Sequence, residues 1–369
     1  MNQVQRDNQL DHSHQGQHTA DQCSSWGSQD AKQKVTRQGI SGLFHKLNIF
    51  GRSNPRRKYA RNGCRVLENV CNLTIFTTDE MKKITKDYSE EYLLDKGSFG
   101  KVYKGTLQNG ILVTIASVIV NETTHDIFTE GVEINIRMFH MNILQLIGCC
   151  LEVDVPMLVY EFIDNRSLQD ILHVSKQELP LDLRLYIAIG SAQGLRQIHL
   201  YTRRPLCHGD IKPENILLTE MLTAKLSCFG LLKEQHFNMA AVGSMGHTDP
   251  MSLVTGFLTQ KSDVYSFGVV LLEIITRKQS IYGENCSLVL EFSKVYETEK
   301  GGKTMFDKDI ATEENMFFLE EIGKLAVECL REDVGQRPDM NDIAERLMII
   351  RTNMLNKENE VEGEANWPN

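Results

Sequence analysis

The sequence predicts an α+β fold with two lobes, a small lobe built on a β-sheet and a larger helical lobe. Short strand-like runs come first, at residues 101–104, 111–120 and 157–162. Long patterns with helical spacing follow, chiefly at 181–198 and 262–277. Because strands that precede a block of helices segregate from them in space, this order is typical of α+β proteins.

The composition is that of a globular protein with an ordinary core. Of the 369 residues, 41% are hydrophobic and 24% are charged, and a chain of this length can bury two lobes. No apolar run reaches the ~18 residues that a membrane span needs, and the polar first residues lack a secretory core. The nine cysteines show no paired metal spacing, so we predict no metal site and a reducing, cytoplasmic location.

Charge is distributed unevenly along the chain. Residues 1–31 have a net charge of −3 and are rich in Gln, Asp, His and Ser, which predicts a disordered N-terminus. Residues 32–65 carry ten basic side chains and no acidic one, and the remainder has a net charge of −16. The sequence therefore predicts a basic arm at 32–75 ahead of an acidic body.

The basic arm contains a short amphipathic pattern. Ile40, Leu43, Phe44 and Leu47 follow the i, i+3, i+4, i+7 spacing of one helix face. One interpretation is a peripheral contact of residues 32–65 with the plasma membrane or with a partner. The others are a helix packed on the main domain and a chance pattern in a flexible tail.

The body is predicted as one domain at residues 76–352, followed by a polar, acidic tail at 353–369 that frays. The small lobe takes about 76–160 and the helical lobe about 165–352. At the start of the body, Thr77 and Asp79 stand ahead of a Lys- and Ile-containing periodic run, which is typical of a capped helix.

Several motifs follow one another in a fixed order in the body. His208-Gly-Asp210-Ile-Lys212-Pro-Glu-Asn215 keeps four of the five fixed positions of the pattern H-R-D-x-K-x-x-N. Cys228-Phe229-Gly230 comes eighteen residues after Asp210, where that pattern is followed by D-F-G. Asp249-Pro250-Met251, Asp263 and Gln336-Arg337-Pro338 complete the series. Chance agreement over this whole order is negligible. The order of the motifs therefore predicts a bilobal protein-kinase fold.

From about residue 76 to residue 347 the chain resembles plant receptor-like protein kinases. The phrases at residues 76–83, 146–152 and 158–162 are most similar to the kinase domain of wall-associated receptor kinases. Residues 61–68 resemble the juxtamembrane segment of that family. The chain also looks like the cytoplasmic pseudokinases of that clade, which are adaptors for plant intracellular immune receptors.

The phosphate transfer that this resemblance implies depends on a set of charge contacts. A lysine–glutamate pair holds the ATP phosphates, an aspartate and an asparagine hold Mg²⁺, and a carboxylate meets the incoming hydroxyl. The resemblance places Ala116 at the lysine and Gly131 at the glutamate, and Glu130 would point about 100° away around a helix. Cys228 replaces the Mg²⁺-binding aspartate, and sulfur is a poor ligand for a hard ion.

The glycine-rich turn at residues 95–102 is also altered. Glycines let a backbone pass close to phosphates, and Gly97, Gly100 and Val102 remain as a degenerate nucleotide-binding loop. Asp95 stands where the family has the first glycine, and it places negative charge near a triphosphate.

Two further substitutions affect the segment after the catalytic loop. Gly209 replaces the arginine that pairs with a phosphorylated activation loop, and Met251 replaces the glutamate that normally pairs with Arg337. Asp210, Lys212 and Asn215 survive as a remnant catalytic loop, which we predict to be inactive. The resemblance assigns structural roles to a second retained set: His208, Phe229, Asp263 and Arg337.

These losses predict a chain that is not an enzyme and that acts as an adaptor, decoy or scaffold in plant receptor or immune signalling. No cofactor is required on this hypothesis, and ATP and Mg²⁺ bind weakly or not at all. The expected partners are other proteins, either receptor-like kinases or an intracellular immune receptor.

Two alternatives stay open. The first is a slow or atypical Ser/Thr kinase with residual ATP binding, in which Lys101 substitutes for the missing clamp lysine. The second is a nucleic-acid binder that uses the basic arm. The acidic body and the scarcity of aromatic residues between the basic ones argue against the second, so no nucleic-acid partner is expected.

Overall fold

The computed structural model describes residues 73–97, 100–118, 125–152, 155–164, 166–175, 177–201, 205–227, 233–234 and 246–365. The described residues form a small sheet lobe and a larger helical lobe, which confirms the predicted fold class. The predicted segment 1–31, most of the basic arm and the amphipathic pattern lie outside the described residues.

A six-stranded sheet forms the small lobe, in the order β1-β5-β6-β4-β3-β2. Neighbouring strands are antiparallel except β1, which pairs in parallel with β5. Since β1 precedes residue 76, the folded body begins slightly ahead of the predicted boundary. The strands are β1 (Thr74–Ile75), β2 (Leu93–Gly97), β3 (Gly100–Thr106), β4 (Leu112–Ser117), β5 (Leu146–Cys150) and β6 (Met157–Glu161).

Strand β4 lies inside this sheet and is buried on both faces. Its side chains alternate, as in any strand. Val113 and Ile115 point to one face and pack in a cluster with Met81, whereas Ala116 points to the other and packs with Val132. The second face is the one that meets the helical lobe.

One helix covers each face of the sheet. Helix α1 (Thr78–Ile84) begins with a capping box in which Thr77 and Glu80 exchange hydrogen bonds, as the sequence predicts, and its Met81 is completely buried. Helix α2 (His125–Arg137) supplies Val132 to the other face.

The helical lobe is built around a central helix that is buried along nearly its whole length, α5. A helix that is apolar on all sides is typical of such a position. Within the described residues, no helix combines the length and the apolarity needed to cross a bilayer. The helices of this lobe are α3 (Leu181–His199), α4 (Pro250–Thr255), α5 (Gln260–Thr276), α6 (Leu288–Glu299), α7 (Met316–Cys329) and α8 (Met340–Ala365).

Short strands and turns connect the helices. The 3₁₀ turn Pro213–Asn215 and the strand after it end the loop at residues 208–215 and hold it at the boundary between the lobes. The π-helical turn Asp170–Val174 follows the short strand Arg166–Ser167, which pairs with the strand after the loop. The strands are β7 (Arg166–Ser167), β8 (Leu206–Cys207), β9 (Ile216–Leu218), β10 (Ala224–Leu226), β11 (Lys233–Glu234), β12 (Ile281–Tyr282) and β13 (Cys286–Ser287).

The C-terminal segment differs from the prediction. Helix α8 continues through residue 365, whereas the sequence predicts a frayed tail from residue 353. Ile350 and Met354 are buried on one side of this helix, and Arg351 donates two hydrogen bonds, of 2.7 and 3.2 Å, to Asp182 on α3. These contacts stabilise helix α8, although the sequence of its C-terminal part is polar.

Candidate active site

The loop between β8 and β9 brings together the three residues of the predicted catalytic loop. Asn215 Nδ2 donates to the Asp210 carboxylate at 2.7 Å and to the Asp210 carbonyl at 2.8 Å. Lys212 Nζ lies 3.3 Å from the same carboxylate oxygen, Oδ2. The acid, the base and the amide therefore form one compact, partly buried group with its charges balanced.

Asp263 on α5 holds the backbone of this loop through hydrogen bonds. Its carboxylate accepts hydrogen bonds from the backbone N–H groups of His208 and Gly209, each at 2.8 Å, and contacts His199 Nε2 at 2.8 Å. Burial raises the pKa of Asp263, but the hydrogen bond and charge of His199, together with the Gly209 N–H, outweigh it and keep the pKa below its ordinary value. The acid therefore stays ionised and fixes the position of the loop.

Gly209 adopts a backbone conformation that suits glycine. Its φ is +74°, in the left-handed region where other residues are strained. The glycine that stands in place of the family arginine thus carries no charge and adopts this backbone conformation without strain.

The glycine-rich turn forms a tight β2–β3 hairpin. Gly97 pairs with Gly100, and Asp95 pairs with Val102. A Cβ on Gly100 would lie 2.2 Å from the Ser117 carbonyl oxygen, so only glycine fits against the end of β4. The hairpin is thereby held against the strand that carries Ala116, while the Asp95 side chain is exposed.

Apolar side chains line the cleft between the lobes. Val102 from β3, Ala116 from β4, Ile163 after β6 and Leu217 from β9 belong to one packed cluster, which also contains the fully buried Tyr160. Leu217 comes from the helical lobe and the others from the small lobe, so the cluster joins the two.

The position of the missing lysine is filled by a methyl group. Ala116 is 2% exposed, and Gly131 on α2 is also buried, its carbonyl accepting a 2.8 Å hydrogen bond from the Asn135 amide. Neither position supplies a charge to a phosphate.

Lys101 does not replace the clamp. It alternates with Val102 along β3 and therefore points away from the cleft face, its side chain is exposed, and its backbone N–H and C=O bond to Ser117 Oγ at 2.7 and 3.0 Å. The hypothesis of a displaced lysine at residue 101 is wrong, because strand alternation places that side chain on the other face. Lys104 shares the cleft face, but its Nζ lies 4.5 Å from the centre of the Phe162 ring.

Ser227, the residue before position 228, is held by hydrogen bonds to the catalytic loop. Ser227 donates from its N–H and from its Oγ to the Asn215 carbonyl, at 2.9 and 3.2 Å. The predicted site residues Cys228 and Phe229 lie outside the described residues.

Met251 removes the acid that the resemblance places opposite Arg337, and Asp249 takes over that role. Arg337 donates two hydrogen bonds to the Asp249 carboxylate, at 2.8 and 2.9 Å, and both side chains are almost completely buried. Burial, with the charge of Asp249, raises the pKa of the neighbouring Tyr265 to about 12. Sequence reasoning missed Asp249, although its place two residues ahead of Met251 and directly before a proline was a usable signal.

A second missed pair lies at the predicted hinge between the lobes, residues 161–164, where β6 ends. Lys225 Nζ contacts Glu161 Oε1 at 2.7 Å, and the same oxygen accepts the Gln145 N–H at 2.8 Å. Strand β10, which leads to residue 228, is thereby tied to the strand that ends at the hinge.

The ordinary Mg²⁺ site of the family does not fit the residues present. Over the part of the chain that the structure describes, no three His, Cys, Asp or Glu side chains converge so that they could hold a metal ion. The Asn215 amide nitrogen and Lys212 both engage Asp210, and position 228 offers sulfur where Mg²⁺ prefers oxygen.

Comparison with known proteins places the chain among kinases. The model of the family described as protein tyrosine and serine/threonine kinase matches residues 89–347. Three proteins of Arabidopsis thaliana illustrate the similarity. Wall-associated receptor kinase-like 20 is 36% identical over 77% of this chain and 46% of that protein. Wall-associated receptor kinase 3 is 37% identical over 77% and 40%, and putative wall-associated receptor kinase-like 16 is 36% identical over 75% and 66%.

These matches confirm the resemblance to wall-associated receptor kinases, and they correct one conclusion drawn from the substitutions. The chain spans about half the length of the curated relatives it matches. Those relatives are named as kinases, and the kinase family match covers both lobes. The prediction that the chain is not an enzyme is therefore wrong.

Proposed function

Since the chain belongs to the protein tyrosine and serine/threonine kinase family, we propose that it is a slow Ser/Thr protein kinase of the wall-associated receptor kinase type. The observation that carries this function is the assembled catalytic loop, in which Asp210, Lys212 and Asn215 lie within hydrogen-bond or ion-pair distance of one another. The substitutions at other kinase positions determine how fast this loop can transfer phosphate.

The loop supplies the acid–base part of the reaction. The Asp210 carboxylate accepts the proton of the substrate hydroxyl as that oxygen bonds to the terminal phosphorus of ATP, while the bond from this phosphorus to the bridging oxygen breaks and ADP leaves. Lys212, beside that carboxylate, offsets the negative charge that develops on the transferred group. Asp263 keeps both at fixed positions through the backbone of the loop.

Loss of the phosphate clamp makes the reaction slow. A positioned electrostatic contact is typically worth about 3–4 kcal/mol of barrier, or roughly a hundred- to a thousandfold in rate. Ala116 and Gly131 remove two members of a unit, and such losses are not additive. Because typical kinases turn over at about 1–100 per second, we expect on the order of 0.001–1 per second here.

We propose that the nucleotide is held mainly by its base. Val102, Ala116, Ile163 and Leu217 retain the apolar cleft, whereas the groups that recognise phosphates and Mg²⁺ are reduced. Binding should therefore depend on burial of the purine, with ATP and adenosine close in affinity and Mg²⁺ of little effect.

The partners proposed for this kinase are other proteins, among them receptor-like kinases and an intracellular immune receptor. Its likeness to relatives named as receptor kinases supports a place in receptor signalling. We also propose a cytoplasmic location and a membrane contact through residues 32–65.

The test measures phosphate transfer from labelled ATP to the chain itself and to a generic protein substrate, with Mg²⁺, with Mn²⁺ and with a chelator. Asp210→Ala should abolish transfer. Glu214→Gln is the matched control, because Glu214 is an exposed acid of the same loop, and it should leave transfer unchanged. Absence of transfer above the Asp210→Ala background in all three conditions overturns this function.

A further inference from the structure

A buried acid outside the catalytic loop holds three elements of the helical lobe together. Glu273 near the end of α5 is 1% exposed. Its Oε2 contacts His173 Nε2 at 2.8 Å, and its Oε1 lies 2.8 Å from His247 Nε2 and accepts the Ser280 N–H at 2.9 Å. His173 comes from the π-helical turn, His247 from the segment before α4, and Ser280 from the loop after α5.

This acid is ionised in the folded protein. Burial raises the pKa of Glu273, but the hydrogen bond of His173 and the contact with His247 outweigh it and keep the pKa below its ordinary value. An ionised carboxylate without partners is expensive to bury. Each histidine is therefore held in place by a charge that cannot move to solvent.

His247 lies near the end of the segment that contacts the protein substrate in kinases. The segment between the D-F-G position, residues 228–230, and the A-P-E position, residues 249–251, is the activation segment of a kinase, and His247 is close to its end. The His247 carbonyl accepts a 2.8 Å hydrogen bond from Ser266 Oγ on α5. Two residues later, Asp249 is paired with Arg337.

The end of the activation segment is thus held by two buried contacts. The pair of Asp249 with Arg337 fixes the start of α4, and the contact of His247 with Glu273 fixes the residues before it. The His247 ring nitrogen lies 2.8 Å from the Glu273 carboxylate, and both side chains are buried.

We propose that His247 is a positioning residue: through Glu273 it anchors the end of the activation segment to α5 and so places the protein substrate against Asp210. This inference rests on the proposed kinase function for its kinetic part only. The anchoring itself is a property of the fold and can be measured without turnover.

His173 provides a matched control. It contacts the same carboxylate at the same 2.8 Å distance, and the two ring side chains are similarly buried, 5% and 9% exposed. It belongs to the π-helical turn rather than to the activation segment. His173→Leu and His247→Leu therefore remove equivalent partners of Glu273 from different elements.

The first measurement is amide hydrogen exchange of the peptide that covers residues 246–257, in the full chain and with both variants shown to be folded by circular dichroism. Removing a contact to a charged group typically shifts an opening equilibrium roughly tenfold or more. We expect His247→Leu to exchange at least tenfold faster than the wild type over this peptide, and His173→Leu to match the wild type there. Equal exchange in the two variants overturns the anchoring.

The second measurement is steady-state transfer to a generic protein substrate. His247→Leu should raise KM for the protein substrate roughly tenfold, with kcat and KM for ATP within twofold of the wild type, and His247→Gln should recover part of the loss. His173→Leu should leave all three constants unchanged. A fall in kcat without a change in KM, or equal effects of both leucine variants, overturns the positioning role, whereas absence of transfer in the wild type rejects the kinase function and leaves the exchange result to decide the anchor.

Discussion

Replacing Asp249 by alanine should destabilise the whole helical lobe, although the residue lies outside the catalytic loop. The variant leaves the Arg337 guanidinium without its acid in a site where the arginine and aspartate side chains are 1% and 2% exposed. Removing one partner of a buried pair costs about 3–5 kcal/mol. Asp249 also caps α4 through a 3.0 Å hydrogen bond from the Met251 N–H, a contact worth about 1 kcal/mol that overlaps with the first.

For a domain of this size, 1 kcal/mol corresponds to about 2–4 °C in Tm. Asp249→Ala should therefore lower Tm by roughly 6–20 °C in a calorimetric or circular-dichroism melt. Asp342→Ala is the matched control, since Asp342 pairs with Arg346 at 3.4 Å on the surface and is 51% exposed. Exposed pairs of this kind contribute about 0–1 kcal/mol, so Tm should change little.

Two second-site variants separate the causes. Adding Met251→Glu to Asp249→Ala returns an acid to the position that the family uses, and it should recover part of the lost stability. Adding Arg337→Met to Asp249→Ala removes the unpaired charge and should also recover part of it. A loss below about 1 kcal/mol for Asp249→Ala, or no recovery in either double variant, would refute the reasoning.

Further outcomes can be measured separately. Gly209→Ala forces a side chain into a left-handed conformation and should cost about 1–2 kcal/mol of unfolding free energy, seen as a lower urea midpoint. The depressed pKa of Glu273 gives stability that is present above the ordinary value of 4.5 and lost as pH falls through the folded value, so Glu273→Gln should flatten the decline of Tm below about pH 4.5. Ala116→Lys alone should leave the transfer rate within about threefold of the wild type, because Gly131 offers no acid to orient the lysine. Residues 32–65 should bind phosphatidylserine liposomes in flotation at low salt, at about 1 kcal/mol per basic residue, and equal flotation of a chain without them would contradict this.

Motifs close together in the sequence were predictable, and contacts between distant residues were not. Asp210, Lys212 and Asn215 lie within six positions, so one local motif was enough to group them. Asp249 and Arg337 are 88 positions apart, and no local pattern marks them as partners.

The same distinction applies to the elements of the fold. The alternation and the capping signal predicted β4 and α1, because both depend on neighbouring residues. The continuation of α8 depends on Arg351 reaching Asp182 on another helix, which a polar local composition conceals. The alternative role of Lys101 as a clamp shows the converse, since strand alternation was available from the sequence and places that side chain on the outer face.

The balanced charges of the catalytic loop have a consequence for how this protein can change over generations. Asp210, Lys212 and Asn215 satisfy one another, and Asp263 holds their backbone, all from within the helical lobe. Substitutions at the phosphate end of the cleft, such as those at 116 and 131, leave these contacts of the loop in place. Cellular quality control removes unstable chains and does not act on turnover. A change in catalytic speed at those positions therefore needs no compensating change in the contacts that hold the loop.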